Sequence, residues 1–407
     1  MEIAAVSKQV ATQQNLIMSA MVFVVLGKSG LNAVLPVYGA DQVHSRVKKR
    51  DFLHWFYFFR SVGDALANVV AGVAFGLLLP DTHQLWRFLP TILSVALAFI
   101  SFLVGSKYYM GSNVRLKESW KVISVVCSCC PITSRIRSGS RRMSLGVNVK
   151  SIKKAIAEKK KRVRRMVQIL LVNSSVFGFG ILYSQMLTTY EFQARGMDRM
   201  INGNVSLPIP ETYMLAFNEL AILVFIPILV KCIYPCIENR GRSTGYFTRM
   251  GFGMVCAAFS GLYGIILEVS RQQSCHQFDG VPKLSGLWQG PEYAIIGLGE
   301  TLTFIAAMEY SYLEAPTGLR GTAMGLFNLG FGLSYCVALI VVTIVDKLTD
   351  WYTVDLKDTC LTHNIGHLER YLLLLLGFLA LCAISFVIVA FYLSSQKRKS
   401  AATTSTS

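Results

Sequence analysis

The chain alternates between long apolar runs and short polar turns. Nine of the runs are long enough to cross a lipid bilayer, since about 20 apolar residues span its hydrocarbon core. They lie at about 16–38, 53–79, 88–106, 167–190, 213–235, 250–270, 290–313, 321–345 and 370–393. Lipid offers no hydrogen-bond partners to an open backbone, so each run is predicted to be helical. The pattern therefore predicts an all-α membrane protein with about nine transmembrane helices.

Composition and charge agree with this class and set the topology. Hydrophobic residues make up 53% of the chain and charged residues 15%, whereas a soluble domain is about a quarter charged. The net charge of +17 could indicate a nucleic-acid partner, but its distribution excludes one. Residues 107–165 contain 17 Lys or Arg and only 2 Asp or Glu, a net charge of +15 in one loop. Because basic loops stay on the cytoplasmic side, this loop is predicted to be cytoplasmic.

This topology divides the chain into four parts. They are a partial N-terminal bundle at 1–106, a basic cytoplasmic loop at 107–166, a six-helix C-terminal bundle at 167–393 and a cytoplasmic tail at 394–407. The basic loop ends in the tract KSIKKAIAEKKKRVRRM. Two interpretations of the tract stay open: an amphipathic helix on anionic lipid, or a solvated basic linker that only sets topology.

The non-cytoplasmic loops contain candidates for covalent modification. Asn204 begins the sequon Asn-Val-Ser and is predicted to be glycosylated. Cys275 and Cys360 lie in adjacent loops and are candidate disulfide partners, because an oxidising lumen lets thiols pair; two free thiols are the alternative. The sequence contains no HExxH motif, phosphate-binding loop or nucleophile elbow, so no metal, cofactor or enzymatic activity is predicted.

Charged residues recur inside the predicted helices, where they are costly and mark functional sites. Glu300 and Glu309 are nine residues apart on one helix, so they point to opposite faces and cannot form one carboxylate pair. Arg60 and Asp64 are four residues apart and can pair on one face. Further polar residues within the spans include Tyr183, Gln185 and Asn218. Polar positions in several spans favour a wet central path, typical of a transporter, over a receptor packed against lipid.

Three pairs of motifs resemble one known family. GPEYAIIGLGE with AAMEYSYLEAPTGLRGTAMGLF is similar to helices ten and eleven of the proton-coupled oligopeptide transporters, solute carrier family 15. YGADQV with FLHWFYFFRSVGDAL resembles the end of helix four and helix five, and YSQMLTTYEFQ with AFNELAILVFIPIL resembles helices seven and eight of the peptide/histidine branch. The resemblance runs from Gly27 to about Leu393. It implies a major facilitator superfamily fold that lacks the first three helices in this chain.

The resemblance also implies a substrate site. Glu309 takes the position of the glutamate that meets the substrate's amino terminus, as a buried carboxylate can do for an ammonium group. Asn218, Tyr183 and Gln185 are expected to line the same site.

A second set of positions concerns proton coupling. Glu300 is expected to be proton-linked or structural, and Asn32 stands where the family has a lysine. Arg60 and Asp64 are additions to the family pattern, and the family's ExxER motif is absent. Proton coupling is therefore expected to be impaired in this chain.

The leading prediction is a membrane transporter of di- and tripeptides or histidine. Its expected partners are that substrate, protons and the lipid bilayer, with no nucleic acid. An adaptor protein on the cytoplasmic loop is a further candidate partner. The alternative function is a transport-inactive adaptor that scaffolds signalling on an endolysosomal membrane. The expected location is the endolysosomal or plasma membrane.

Overall fold

A computed structural model of the protein describes residues 2–73, 89–109, 149–198, 214–241, 244–277, 284–349, 351–352 and 367–405. Its α-helices are α1 (Glu2–Asp41), α2 (Arg46–Val73), α3 (Leu89–Gly105), α4 (Val149–Ser175), α5 (Phe177–Tyr183), α6 (Thr189–Arg195), α7 (Leu215–Ile228), α8 (Tyr234–Asn239), α9 (Tyr246–Gln277), α10 (Gly290–Glu314), α11 (Arg320–Leu348) and α12 (Leu368–Ser405). Short 3₁₀ turns occupy Ser106–Tyr108, Ser184–Leu187 and Gly286–Gln289, and a π-helical segment, Leu229–Ile233, joins α7 to α8. The described residues contain no β-strand, so the predicted all-α class is confirmed.

The described part of each predicted transmembrane run lies in a helix or a series of short helices. Within the described ranges, six helical stretches are long and apolar enough to cross a membrane by length and composition, and a shorter apolar helix covers Ile92–Tyr108. α2 and α10 are not among the six, and both carry charged side chains along their length. These helices make the chain a multi-pass membrane protein.

The fourth predicted run, 167–190, is not one continuous helix. α4 ends before Val176, whose backbone angles (φ −86°, ψ 0°) depart from helical values, and α5 begins after it. A 3₁₀ turn follows α5, and Thr188 (φ −136°, ψ −84°) separates it from α6. Broken helices of this kind often border the substrate sites of transporters.

Burial differs sharply between the helices. α10 lies at the centre of the C-terminal bundle and is buried along most of its length against α7 and α9. α1 and α3 instead expose large apolar side chains, such as Phe23 (75% exposed) and Ile92 (63% exposed). Helices that face lipid have this distribution, because lipid tails are as apolar as the side chains.

The structure describes all three boundaries between the four predicted parts: residue 106 follows the end of α3, whereas residues 166 and 393 lie inside α4 and α12. The basic tract that ends the cytoplasmic loop is helical, because α4 runs without interruption from Val149 into the bundle. The predicted boundary at 166 therefore falls inside α4. Residues 110–148 of the loop lie outside the described residues.

Candidate functional site

A cavity of about 350 Å³ lies between α1, α2, α5, α10 and α11. Its volume is within the range of roughly 300–1,000 Å³ that is typical of small-molecule sites. The polar side chains that line it are Lys28, Ser29, Asn32, Tyr57, Arg60, Tyr183, Glu300, Asn328 and Tyr335. Val25, Phe304 and Phe331 provide apolar surface. The lining therefore combines one carboxylate with two cations and several neutral hydrogen-bonding groups.

Glu300 is held in this cavity by three hydrogen-bond donors from three helices. The hydroxyl of Tyr57 on α2 donates to its Oε1, and the hydroxyl of Tyr183 on α5 donates to the same oxygen at 3.1 Å. The Nδ2 of Asn218 on α7 donates to Oε2 at 3.1 Å. An ionised carboxylate accepts several such bonds, and bonds to a charged acceptor are stronger than neutral ones. Glu300 is only 4% exposed, so these donors fix its orientation.

Two glycines next to Glu300 let the neighbouring helices approach α10. A Cβ atom on Gly297 would lie 2.5 Å from Oδ1 of Asn218 and 3.0 Å from its backbone oxygen. A Cβ atom on Gly299 would lie 3.0 Å from the backbone oxygen of Gly253 on α9. The local sequence GLGE thus brings α7 and α9 against α10 and places Asn218 within reach of Glu300.

Cationic groups also line the cavity. Lys28 on α1 and Arg60 on α2 are both part of its lining. The predicted pair of Arg60 with Asp64 is confirmed, with Nε and Oδ2 3.7 Å apart, and the guanidinium carbon lies 5.3 Å from the ring centroid of Tyr57. The buried Nδ2 of Asn328 has no hydrogen-bond partner among the described residues. The site therefore offers groups for both ends of a zwitterion.

The structure places Glu309 elsewhere. Its side chain is not part of the cavity lining, and its carboxylate forms a buried ion pair with Arg249 on α9. The two glutamates of α10 thus contact different helices, as their nine-residue spacing predicts. The expectation that Glu309 meets the substrate's amino terminus is not supported by this geometry, because its charge is already neutralised by Arg249. Glu300 is the carboxylate that faces the cavity.

The other predicted residues divide between the cavity and its surroundings. Asn32 and Tyr183 line the cavity. Asn218 lies outside the lining but donates a hydrogen bond to Glu300, which is part of it. Gln185 does not line the cavity: it is 1% exposed, its Nε2 donates to the backbone oxygen of Ile181 at 2.9 Å, and its Oε1 accepts from Thr189 at 2.6 Å. Gln185 therefore stabilises the broken helix rather than lining the site.

Sequence reasoning missed several lining residues, although two patterns could have indicated them. Asn328 and Tyr335 are seven residues apart on α11, which places both on one helix face. Tyr57 precedes Arg60 by three residues on α2 and shares its face.

The predicted covalent sites are only partly described. Cys275 is disulfide-bonded and 3% exposed. Its predicted partner Cys360 lies outside the described residues, so the identity of the pair stays a prediction. The glycosylation candidate Asn204 also lies outside them. No group of three or more His, Cys, Asp or Glu that could hold a metal ion occurs in the part of the chain that the structure describes.

Comparison with known proteins gives one consistent family. The family model described as PTR2, POT family, matches residues 2–355. The chain is 26% identical to Protein NRT1/ PTR FAMILY 8.1 of Arabidopsis thaliana, over 93% of this chain and 73% of that protein. It is 27% identical to Solute carrier family 15 member 3 of Mus musculus, over 91% of this chain and 68% of that protein.

Solved structures show the same fold. An auto-inhibited POT family peptide transporter superposes with a TM-score of 0.60 at 20% identity, covering 88% of this chain and 74% of that one. The POT family transporter PepTSo superposes with a TM-score of 0.56 at 18% identity, covering 90% and 88%. The helical architecture of this chain is therefore that of POT transporters.

Proposed function

The chain belongs to the POT family of peptide transporters, and from this premise we propose that it binds small peptides in the cavity around Glu300 and carries them across the membrane. The observation that carries the proposal is the cavity itself. It holds one oriented carboxylate together with Lys28 and Arg60. A short peptide has an ammonium group at one end and a carboxylate at the other, which matches this arrangement.

We assign the peptide's amino terminus to Glu300. Its carboxylate is fixed by Tyr57, Tyr183 and Asn218, so little reorganisation is needed when an ammonium group binds. Burial weakens the competition from water and strengthens the attraction between opposite charges. Protonation of Glu300 would remove this attraction, so amine binding and proton binding exclude each other at this residue. The proton-linked role expected for Glu300 is proposed on that basis.

We assign the peptide's carboxylate to Lys28 and Arg60. Both lie in the same cavity lining as Glu300, and Asn328 adds a buried amide nitrogen without a partner among the described residues. This donor is available to a peptide carbonyl or carboxylate. None of the relatives reported above points to the adaptor alternative or to histidine as the substrate, and neither is proposed.

The test is peptide binding by the purified full chain in detergent, with dialanine as the ligand. Glu300→Gln is expected to weaken binding about 10- to 150-fold, since a hydrogen-bonded ion pair becomes a neutral contact. Acetylation of the peptide's amino terminus should weaken binding to the unmodified protein similarly and should have little further effect on Glu300→Gln.

Glu309→Gln is the matched control, because it removes the same charge from the same helix outside the cavity. It is measured at a temperature at which thermal unfolding shows the variant to be folded, and it should retain the affinity for dialanine. Retained binding in Glu300→Gln together with lost binding in folded Glu309→Gln would contradict the assignment.

A further inference from the structure

A second cavity, of about 600 Å³, lies at the end of the bundle that the sequence assigns to the cytoplasm. α4 and α12 form its walls, with Tyr310 and Glu314 of α10 between them. We call it the basic cavity, after Lys161, Arg164 and Arg165 on α4 and Lys397 on α12. The peptide site does not include any of these residues.

The basic cavity carries more positive charge than its own acidic group neutralises. Lys397 is paired with Glu314, with Nζ and Oε1 2.7 Å apart. Lys161, Arg164 and Arg165 remain as three further cations, while Glu314 is the single carboxylate in the lining. Like charges held close together repel one another unless an anion joins them. The charge of the lining therefore favours an anionic ligand.

The donors in this cavity are also partly oriented. Arg164 donates from Nη2 to Oε1 of Gln396 at 2.7 Å, which ties its guanidinium group to α12 across the cavity. Gln168 lies one turn further along α4 and is 3.4 Å from the same oxygen through its Nε2. A guanidinium group presents paired donors that suit a phosphate group.

The cavity lies at the boundary between polar and apolar surface. The predicted spans begin at 167 on α4 and end at 393 on α12, so the basic residues lie just beyond the hydrocarbon region. Directly below them, Leu171 follows Arg164 by two helical turns and is 43% exposed, and Tyr392 precedes Gln396 by one turn and is 56% exposed. A ligand with a charged head and an apolar tail matches both surfaces.

We propose that the basic cavity binds the headgroup of an anionic phospholipid of the cytoplasmic leaflet. Its phosphate groups contact Lys161, Arg164 and Arg165, and its acyl chains lie along Leu171 and Tyr392. A soluble phosphate compound shares the headgroup chemistry, but it would leave the apolar surface below the cavity unused. Basic pockets between transmembrane helices on the cytoplasmic side are suited to such headgroups.

The test titrates a fluorescent short-chain phosphatidylinositol phosphate into the full chain in detergent, with the matching phosphatidylcholine as the reference lipid. The phosphorylated lipid is expected to bind at least about tenfold more tightly than phosphatidylcholine, since each basic residue near an anionic headgroup adds electrostatic attraction. The triple variant Lys161→Gln, Arg164→Gln, Arg165→Gln should lose this preference.

The matched control is the triple variant Lys159→Gln, Lys160→Gln, Arg162→Gln, which removes the same charge from the same helix at positions outside the cavity lining. Its preference for the phosphorylated lipid over phosphatidylcholine should stay within about threefold of that of the unmodified protein, because diffuse surface charge contributes only part of the attraction. An equal loss in both triple variants would overturn the site, as would equal binding of the two lipids.

Competition with inorganic phosphate distinguishes an anionic phospholipid from a soluble phosphate compound as the ligand. Inorganic phosphate should displace the phosphorylated lipid only at concentrations far above those of the lipid, because it cannot use the apolar surface. Displacement at equal concentration would show that the ligand is a soluble phosphate compound, and the lipid proposal would be wrong.

Discussion

Arg249 and Glu309 form an ion pair that is almost closed to solvent, with exposed fractions of 4% and 5%. Removing one partner leaves the other charge buried and unpaired, which costs about 3–5 kcal/mol in buried pairs. We therefore expect Glu309→Gln to lower the free energy of unfolding by about that amount, measured by thermal unfolding of the purified protein in detergent.

The control for this prediction is a pair within one helix. Arg195 and Glu191 on α6 are four residues apart, with Nη2 and Oε1 separated by 3.1 Å, and both side chains are partly exposed. Glu191→Gln should cost only about 0.3–0.5 kcal/mol. A similar loss of unfolding free energy in Glu309→Gln and Glu191→Gln would mean that the buried pair stabilises the protein no more than the partly exposed pair does.

The same two glutamates show what the sequence can predict about single residues. Their spacing correctly separates them onto different faces of α10, because helical geometry alone decides that. The choice of face depends on the neighbours: Arg249 and Asn218 are distant in sequence from both glutamates, and only packing reveals which carboxylate each one meets. Motif similarity assigned the amine-binding role to Glu309, while the cavity geometry favours Glu300.

At the scale of elements, the close packing of α7 against α10 depends on Gly297. A methyl group there would overlap both the side chain and the backbone oxygen of Asn218. We expect Gly297→Ala to destabilise the protein by about 1–3 kcal/mol, as overpacked cores do. It should also weaken dialanine binding, because Asn218 would shift away from Glu300. Thermal unfolding and the peptide titration measure the two effects.

Gly325 provides the matched substitution. It lies inside α11, where an added Cβ atom would have no neighbouring atom within 4 Å, so Gly325→Ala should be neutral or stabilising by up to about 1 kcal/mol. Equal destabilisation by the two substitutions would show that steric contact with α7 is not the cause.

Elements were predictable to different degrees. Hydropathy correctly predicted helix for the described part of each of the nine runs, because a backbone in lipid must satisfy its hydrogen bonds within a helix. It could not predict the interruptions at Val176 and Thr188, since an apolar run looks the same whether or not it is broken. The basic tract before residue 167 had two open interpretations, and the structure resolves its conformation as a continuation of α4.

At the scale of the whole molecule, α1 and α2 meet the C-terminal bundle through charged contacts at the predicted cytoplasmic end. Arg320 on α11 pairs with Asp41 on α1, and the hydroxyl of Tyr312 donates to the same carboxylate. Arg50 on α2 pairs with Glu238 on α8. These contacts join the N-terminal helices to the C-terminal bundle on one side of the cavity. Under the proposed transport function, they would belong to one state of alternating access.

Breaking these contacts should favour the state that is open to the cytoplasm. Asp41→Asn with Arg50→Gln removes two partly exposed pairs, each worth up to about 1 kcal/mol, so the open population should rise several-fold. The measurement is labelling of Asn32→Cys, which places a thiol in the cavity lining, by a membrane-impermeant maleimide applied from the cytoplasmic side of sealed vesicles.

The same variants without Asn32→Cys give the background from native cysteines. Glu191→Gln, whose lost pair lies within α6, should leave the labelling rate unchanged. If the double variant is labelled no faster than Asn32→Cys alone, the charged contacts do not hold the cytoplasmic side closed, and closure must depend on apolar packing between the halves.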